Sequence, residues 1–155
     1  MLETPHVAIG IAIATKFSNP WVSIPLSLAS HFVLDKVPHW NPHTFTETKK
    51  HGYPKKQTFI ITTVDIFLAL VLGLYFASQN LPDINQAFNI IACSFFSVLP
   101  DVSKYPFFLF KKTRVGIYKK WVEHERRLQV ETQKPFWGIV TQILVIIASM
   151  WWITP

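Results

Sequence analysis

Long apolar segments constrain this chain more than any other feature of its sequence. Residues 58–77, TFIITTVDIFLALVLGLYFA, contain 20 residues with one charge, Asp65, and about 20 apolar residues span the roughly 30 Å hydrocarbon core of a bilayer. Residues 135–153, PFWGIVTQILVIIASMWWI, have no charge and carry tryptophans near both ends, as is typical at the two membrane interfaces. Both segments are therefore predicted to be transmembrane helices.

A third, shorter span is predicted at residues 87–103, which are apolar as far as Leu99 and end in Pro100 and Asp101. Half of the 155 residues are hydrophobic and 15 % are charged. The charges avoid the apolar blocks, which is typical of a protein that crosses a membrane several times. The whole chain, residues 1–155, is predicted to be one all-α domain, a multi-pass integral membrane helical bundle.

The N-terminal region, residues 5–37, is predicted to form a short helical hairpin. Its first arm, HVAIGIAIATKF, has 12 residues, or about 18 Å of helix at 1.5 Å per residue, which is too short to cross the bilayer core alone. Asn19 and Pro20 form the turn before the second arm. The hairpin is therefore expected to be tilted or partly re-entrant, with small residues such as Gly10 and Ser27 allowing its arms to pack closely.

Basic residues predict the orientation of the chain. Of the 15 Lys and Arg residues, five lie in 36–56, nine in 104–134, and none in 78–103 or after residue 134. By the positive-inside rule, the loops 36–57 and 104–134 are cytoplasmic and the chain lies in the cell membrane. The formal net charge of +6 then favours the lipid bilayer and its anionic lipids over nucleic acid as the partner.

A cytoplasmic amphipathic helix is predicted over about residues 113–132, within the second basic loop. Its apolar face at helical spacing is formed by Ile117, Trp121, His124 and Leu128. Basic residues flank this face, which is the pattern of a helix that lies in the membrane interface.

Histidines and aspartates gather at the ends of the predicted helices on the cytoplasmic side. His31 and Asp35 are four residues apart and share a helix face, and Pro38 ends the helix so that His39 folds back toward them. Zinc, manganese and iron accept an imidazole and a carboxylate on adjacent turns, and the residues do not choose among these metals. The predicted metal ligands are His6, His31, Asp35, His39 and Asp101.

Asp65 strengthens the prediction of a polar site, because an aspartate inside a membrane helix costs about 2.5–3.5 kcal/mol and such residues usually face an interior site. It is the predicted general base, or a partner that orients a histidine, and His124 is predicted to protonate the leaving group. The chemistry expected of such a site is metal-assisted hydrolysis. The basic residues of the second loop would suit a phosphoester or an anionic lipid as substrate.

Taken one at a time, the same residues have simpler explanations. His31 and Asp35 would satisfy one another where a helix leaves the bilayer, Asp101 would end its helix, and His124 would pack against lipid. Their placement on one side favours a shared site. A non-catalytic membrane protein, such as a metal or proton carrier or an assembly factor, would use the same residues. A purely structural interaction protein would leave Asp65 without a role.

Four sequence elements, in chain order, resemble those of a known family. TPHVAIGIAIA, SHFVLDKVPHWN, SVLPDVS and EHERRLQ are similar to elements of small bacterial integral-membrane proteins, the membrane-bound metal-dependent hydrolases, which include LexA-regulated inner-membrane members. The resemblance implies metal binding, a location in the bacterial inner membrane and hydrolase activity. The residues that match the family's elements are His6, His31, Asp35, His39, Asp101, and His124 with Gln129.

Overall fold

The computed structural model describes residues 1–154 and consists of α-helices joined by loops. The helices are α1 (Glu3–Lys16), α2 (Pro20–Leu34), α3 (Thr44–His51), α4 (Lys56–Gln79), α5 (Ile84–Val102), α6 (Tyr105–Leu109), α7 (Gly116–Leu128) and α8 (Pro135–Ile153). Within these residues, extended backbone pairs only in an isolated bridge between His39 and Glu131. The all-α prediction is confirmed.

Two helices, α4 and α8, are long and apolar enough to cross a membrane. They cover the predicted segments 58–77 and 135–153. Helix α5 covers most of the third predicted span, 87–103, but it is not one of these two. It carries more polar residues, including Asn89 and Asp101, both of which are buried.

The helices of the two basic loops differ from the sequence prediction: α7 is shorter than predicted, and two short helices, α3 and α6, are present in addition. Helix α7 is shorter than the predicted 113–132, because Gly116 has a left-handed φ of 66° and Gln129 is already extended. Helices α3 and α6 have 8 and 5 residues, too few to show a helical period in the sequence. The two loops contact each other, since Arg114 Nη2 donates to the Gly52 carbonyl at 3.0 Å.

Helix α1 lies at the centre of the bundle. It packs against α2, α4, α5 and α8, and most of its residues are buried. A helix that is apolar all round is expected in such a position. The predicted hairpin with α2 is present as one of these contacts, but Gly10 lies against α5, not α2. A Cβ at this glycine would stand 2.8 Å from the Cys93 carbonyl oxygen and 2.9 Å from Ser97 Oγ.

Side chains from other helices satisfy the backbone groups at both ends of α1. Asp65 of α4 accepts hydrogen bonds from the amides of Glu3 at 2.5 Å and Thr4 at 3.2 Å. At the other end, Gln86 Nε2 donates to the Ala14 carbonyl at 2.9 Å. Helix termini leave several such groups without an intrahelical partner. These lateral bonds let a short helix remain buried among its neighbours.

The bundle has an apolar outside and a partly polar inside. Large apolar side chains are exposed along α4 and α8, including Phe67, Leu70, Ile147 and Trp151. Buried polar side chains on α2, α4, α5 and α8 are Ser23, Ser27, His31, Thr58, Asp65, Asn89, Ser94, Ser97, Asp101, Gln142 and Ser149. Exposed apolar surface of this extent marks a membrane or protein contact.

Candidate metal centre

Five buried ionisable residues meet where α1 begins and where α2 and α5 end. His6 comes from α1, His31 from the last turn of α2, Asp35 from the residue that follows α2, and Asp101 from the last turn of α5. Glu125 of α7 completes the cluster. Helix α7 thus reaches the cluster through the buried side chain of Glu125, which lies 3.6 Å from His31 Nε2.

The side-chain nitrogen and oxygen atoms of this cluster lie close to one another. His31 Nε2 lies 3.4 Å from Asp35 Oδ2, 3.6 Å from Glu125 Oε1 and 3.9 Å from Asp101 Oδ1. His6 Nε2 lies 3.4 Å from Asp35 Oδ1, and the rings of His6 and His31 stack with centroids 4.2 Å apart. Two sets of three ligand atoms each lie within 4.8 Å of one another, His6–His31–Asp101 and His31–Asp35–Glu125, and either could hold a metal ion.

A backbone hydrogen bond orients the His31 ring. Its Nδ1 lies 2.8 Å from the Ser97 carbonyl oxygen, which only accepts, so Nδ1 carries the hydrogen. Nε2 then faces the carboxylates and has no hydrogen-bond partner among the described residues. This arrangement, with one ring nitrogen bonded to a carbonyl and the other directed at acidic side chains, is common for metal-binding histidines.

Further buried atoms of the cluster lack partners within residues 1–154. They are both ring nitrogens of His6 and Oδ2 of Asp35. The other oxygen of Asp35 accepts a hydrogen bond from the Met1 amino group at 2.5 Å. Because an unpaired buried polar atom costs about 1–3 kcal/mol, a further group that bound these atoms, such as a metal ion, would stabilise the cluster.

Lys104 and Glu125 form the loop-facing side of the cluster. Lys104 Nζ donates to Glu125 Oε2 at 2.5 Å and also contacts Asp101 Oδ1. Burial alone would lower the pKa of Lys104, but the carboxylates of Asp101 and Glu125 outweigh it and raise that pKa. Burial would raise the pKa of Glu125, but His31 and Lys104 hold it below its usual value. Both groups are therefore charged at neutral pH.

The sequence does not identify Glu125, although the period of α7 contains the signal. The predicted face of this helix includes Ile117 and Trp121, and both are exposed. The buried face instead contains Val122 and Glu125. The apolar face is predicted to lie in the membrane interface, which leaves the opposite face to pack against the rest of the chain.

The loop after α2 carries His39 beside the cluster. Its Nδ1 donates to the Val37 carbonyl at 2.8 Å, and its Nε2 lies 3.2 Å from Asn41 Nδ2 and 3.9 Å from Asp35 Oδ1. Burial, followed by the Met1 amino group, lowers the pKa of His39. His39 belongs to neither set of ligand atoms that could hold a metal ion.

Gln129 connects this loop to Glu125. Its Oε1 accepts from Asn41 Nδ2 at 3.3 Å, and its Nε2 donates to Glu125 Oε1 at 2.9 Å. Backbone bonds reinforce the link, since the Val130 amide donates to the Asp35 carbonyl at 2.8 Å. The elements SHFVLDKVPHWN and EHERRLQ thus meet in space, and the second contributes Glu125 and Gln129.

The two predicted catalytic residues, Asp65 and His124, both lie outside the cluster of possible metal ligands. Asp65 lines the polar cleft beside the cluster, but its carboxylate binds the start of α1 through two backbone amides and the Thr4 hydroxyl at 2.6 Å. His124 is exposed on α7. Neither residue belongs to the sets of ligand atoms that could hold a metal ion.

A cleft with a cavity volume of about 110 Å³ leads from the loop side to Asp101. Asp65, Lys104 and Arg126 are among the side chains that line it. Arg126 Nη2 lies 3.3 Å from Glu131 Oε2, and its guanidinium stacks over the Phe45 ring at 4.5 Å. The cleft therefore reaches one residue of the cluster, Asp101, and both of its basic side chains are paired with carboxylates.

Comparison with known proteins gives no match, whether to protein-family models, to curated proteins or to solved structures. The functional interpretation therefore depends on the geometry of the cluster and on the four sequence elements.

Proposed function

We propose that this chain is a membrane-embedded, metal-dependent hydrolase that acts at the cytoplasmic face on a phosphoester, such as the phosphate group of an anionic lipid. One observation carries the proposal: buried, unpaired atoms of His6, His31 and Asp35 converge. A proton on His31 Nε2 would satisfy one contact and leave both nitrogens of His6 unpaired. A divalent transition metal, zinc, manganese or iron, would satisfy several of these atoms together.

The surface and the basic loops support a location in the membrane. The apolar outside of α4 and α8 would face lipid, while buried polar residues within membrane helices usually serve a site or a helix contact. The loops 36–57 and 104–134 hold most of the basic residues and contact each other, as loops on one side of a membrane would. The cluster lies beside these loops, so it would open to the cytoplasm.

Each residue of the site has a role in the proposed reaction. His31, Asp35 and Glu125, with His6 and Asp101 beside them, would hold the metal ion, which when bound supplies a Lewis acid and an activated water. Lys104 and Arg126 would bind the phosphate in the cleft. Gln129 would hold Glu125 in position. Asp65 as general base and His124 as acid remain predictions.

The metal content of the purified protein tests the site. We expect close to one zinc, manganese or iron ion per chain in elemental analysis of wild type, and loss of the ion in His31→Ala and Asp35→Ala. The matched control is His43→Ala, which removes an exposed histidine and should leave the metal content unchanged. A correctly folded wild type that neither contains nor takes up any of these metals would refute the site.

One observation favours the second candidate function, a non-catalytic metal or proton carrier. From the cluster, α2 continues with Ser27 and Ser23 at four-residue spacing, and the buried Ser23 Oγ donates to Asn89 Oδ1 of α5 at 2.7 Å. Small polar residues thus extend toward the far end of the bundle. Release of phosphate or headgroup from anionic lipid by wild type but not by His31→Ala supports the hydrolase. Metal or proton uptake into vesicles without hydrolysis supports the carrier.

A further inference from the structure

An apolar groove runs between α4 and α5, with Val7 of α1 at its floor. Its cavity volume is about 260 Å³. Small residues create the space, because Ala69 and Gly73 of α4 face Ser94 of α5, and a Cβ at Gly73 would stand 3.3 Å from Ser94 Oγ. The groove opens on the exposed apolar side of these helices, where Leu70 and Ile91 form its rims.

The groove leads to the polar cleft of the proposed metal site. Glu3 and Tyr105 line both spaces. Tyr105 donates its hydroxyl hydrogen to Glu3 Oε1 at 2.9 Å. The other oxygen, Oε2, has no hydrogen-bond partner within residues 1–154, although Glu3 is only 8 % exposed. A carboxyl oxygen without a hydrogen-bond partner therefore stands where the apolar groove meets the polar cleft.

These features together define the ligand that fits. An apolar helix packed on the groove would leave Glu3 Oε2 unpaired, at a cost of about 1–3 kcal/mol. A ligand with one hydrocarbon chain, a hydroxyl group next to it and then an anion would fill the groove, donate to Glu3 and reach Lys104 and Arg126. A glycerophospholipid with a single acyl chain has these groups in this order.

We propose that the groove binds the acyl chain of a single-chain glycerophospholipid, with its free glycerol hydroxyl at Glu3 and its phosphate in the cleft. This inference rests on the proposed function, because it names the substrate class of the same site. The acyl chain of the lipid enters the groove from the bilayer, so the lipid reaches the cleft without leaving the membrane. Lys104 and Arg126, which in the unliganded chain pair with Glu125 and Glu131, then bind the phosphate next to Asp101.

Binding of oleoyl lysophosphatidylglycerol to the full chain in detergent micelles, measured by native mass spectrometry, tests the proposal. Leu70→Trp fills the groove from its rim and should weaken binding about tenfold or more. Val71→Trp adds the same ring at the next position of α4, outside the groove, and should bind as wild type does. If Leu70→Trp does not fold, Ile91→Trp fills the groove from the α5 side and has the same expected effect.

A second comparison tests the role assigned to Glu3. Glu3→Gln should weaken binding of the lysolipid severalfold and leave the binding of a diacyl phosphatidylglycerol unchanged, since that lipid has no free hydroxyl next to its chains. Equal binding by Leu70→Trp and Val71→Trp would overturn the groove as the site. Displacement of the lysolipid by an equal concentration of the diacyl lipid would overturn the single-chain ligand.

The experiment separates this inference from the proposed function. Binding needs neither metal nor hydrolysis, so wild type stripped of metal by a chelator should bind the lysolipid within about threefold of metal-loaded wild type. A metal-free wild type that still distinguishes Leu70→Trp from Val71→Trp would refute the hydrolase and leave a lipid-binding site. A metal-loaded enzyme that releases phosphate but binds all groove variants equally would refute the groove alone.

Discussion

Glu125 and His124 are neighbours in α7, but only Glu125 is buried against the acidic cluster. Glu125 Oε1 lies 3.6 Å from His31 Nε2, so Glu125→Gln should weaken metal binding by about tenfold or more, as loss of a ligand or of its supporting partner usually does. His124→Gln is the matched control and should bind metal as wild type does. Competition titration with a chelating dye measures both affinities. Equal affinities in the two variants would remove Glu125 from the metal site.

The histidines and aspartates at helix ends could be identified from the sequence because proline and spacing determine their positions. His31 and Asp35 share a face at four-residue spacing, and Pro38 turns the chain immediately after them. Glu125 could not be identified in the same way. Its recognition depends on knowing that the polar face of α7, opposite the predicted membrane-facing one, packs on the cluster, and the sequence pattern does not show what that face contacts.

At the scale of a helix, the burial of Asp65 has a structural explanation in α1. Its carboxylate accepts from two amides of the first turn of α1, as a capping residue does, and loss of a cap costs about 0.5–2 kcal/mol. We expect Asp65→Ala to lower the free energy of unfolding by about this amount or more. Thr63→Ala, at an exposed position of the same helix, should change it by less. Denaturant titration in detergent micelles, followed by circular dichroism, measures both.

A further variant, Asp65→Asn, distinguishes the role of Asp65 as a helix cap from its predicted role as general base. A cap predicts that Asp65→Asn loses stability while its metal content stays near that of wild type. A general base predicts that Asp65→Asn folds with unchanged stability, retains the metal and loses phosphate release. Unchanged stability in both Asp65→Ala and Asp65→Asn would contradict the structural role.

At the scale of the whole molecule, the long apolar helices and the all-α fold follow from composition and segment length, but the arrangement of the helices does not. Helix α1 is apolar all round, which predicts burial, but its 14 residues do not show which helices surround it. Its position depends on contacts made by distant residues, such as the bond from Gln86 to Ala14. The short helices α3 and α6 depend on the packing of the loops, as in the contact between Phe45 and Phe107, whose rings stack 5.5 Å apart.

The orientation of the molecule gives the last prediction. Helix α4 has 24 residues, or about 36 Å at 1.5 Å per residue, so its two ends should lie on opposite sides of a membrane. Lys50 and Lys112 lie in the basic loops, which should be cytoplasmic, and Gln79 ends α4 at the other side. All three side chains are exposed, so a cysteine at each should react with a maleimide that reaches its side of the membrane.

Single cysteines in a Cys93→Ser background test this orientation, because Cys93 is the one cysteine of the chain. In intact spheroplasts, a membrane-impermeant maleimide should label Gln79→Cys and should label Lys50→Cys and Lys112→Cys only after the membrane is opened. Inside-out vesicles should give the reverse pattern. Labelling of Lys50→Cys and Gln79→Cys from the same side would show that α4 does not span the membrane. The acidic cluster would then face a different compartment from the one proposed, or lie in a protein that only rests on the bilayer.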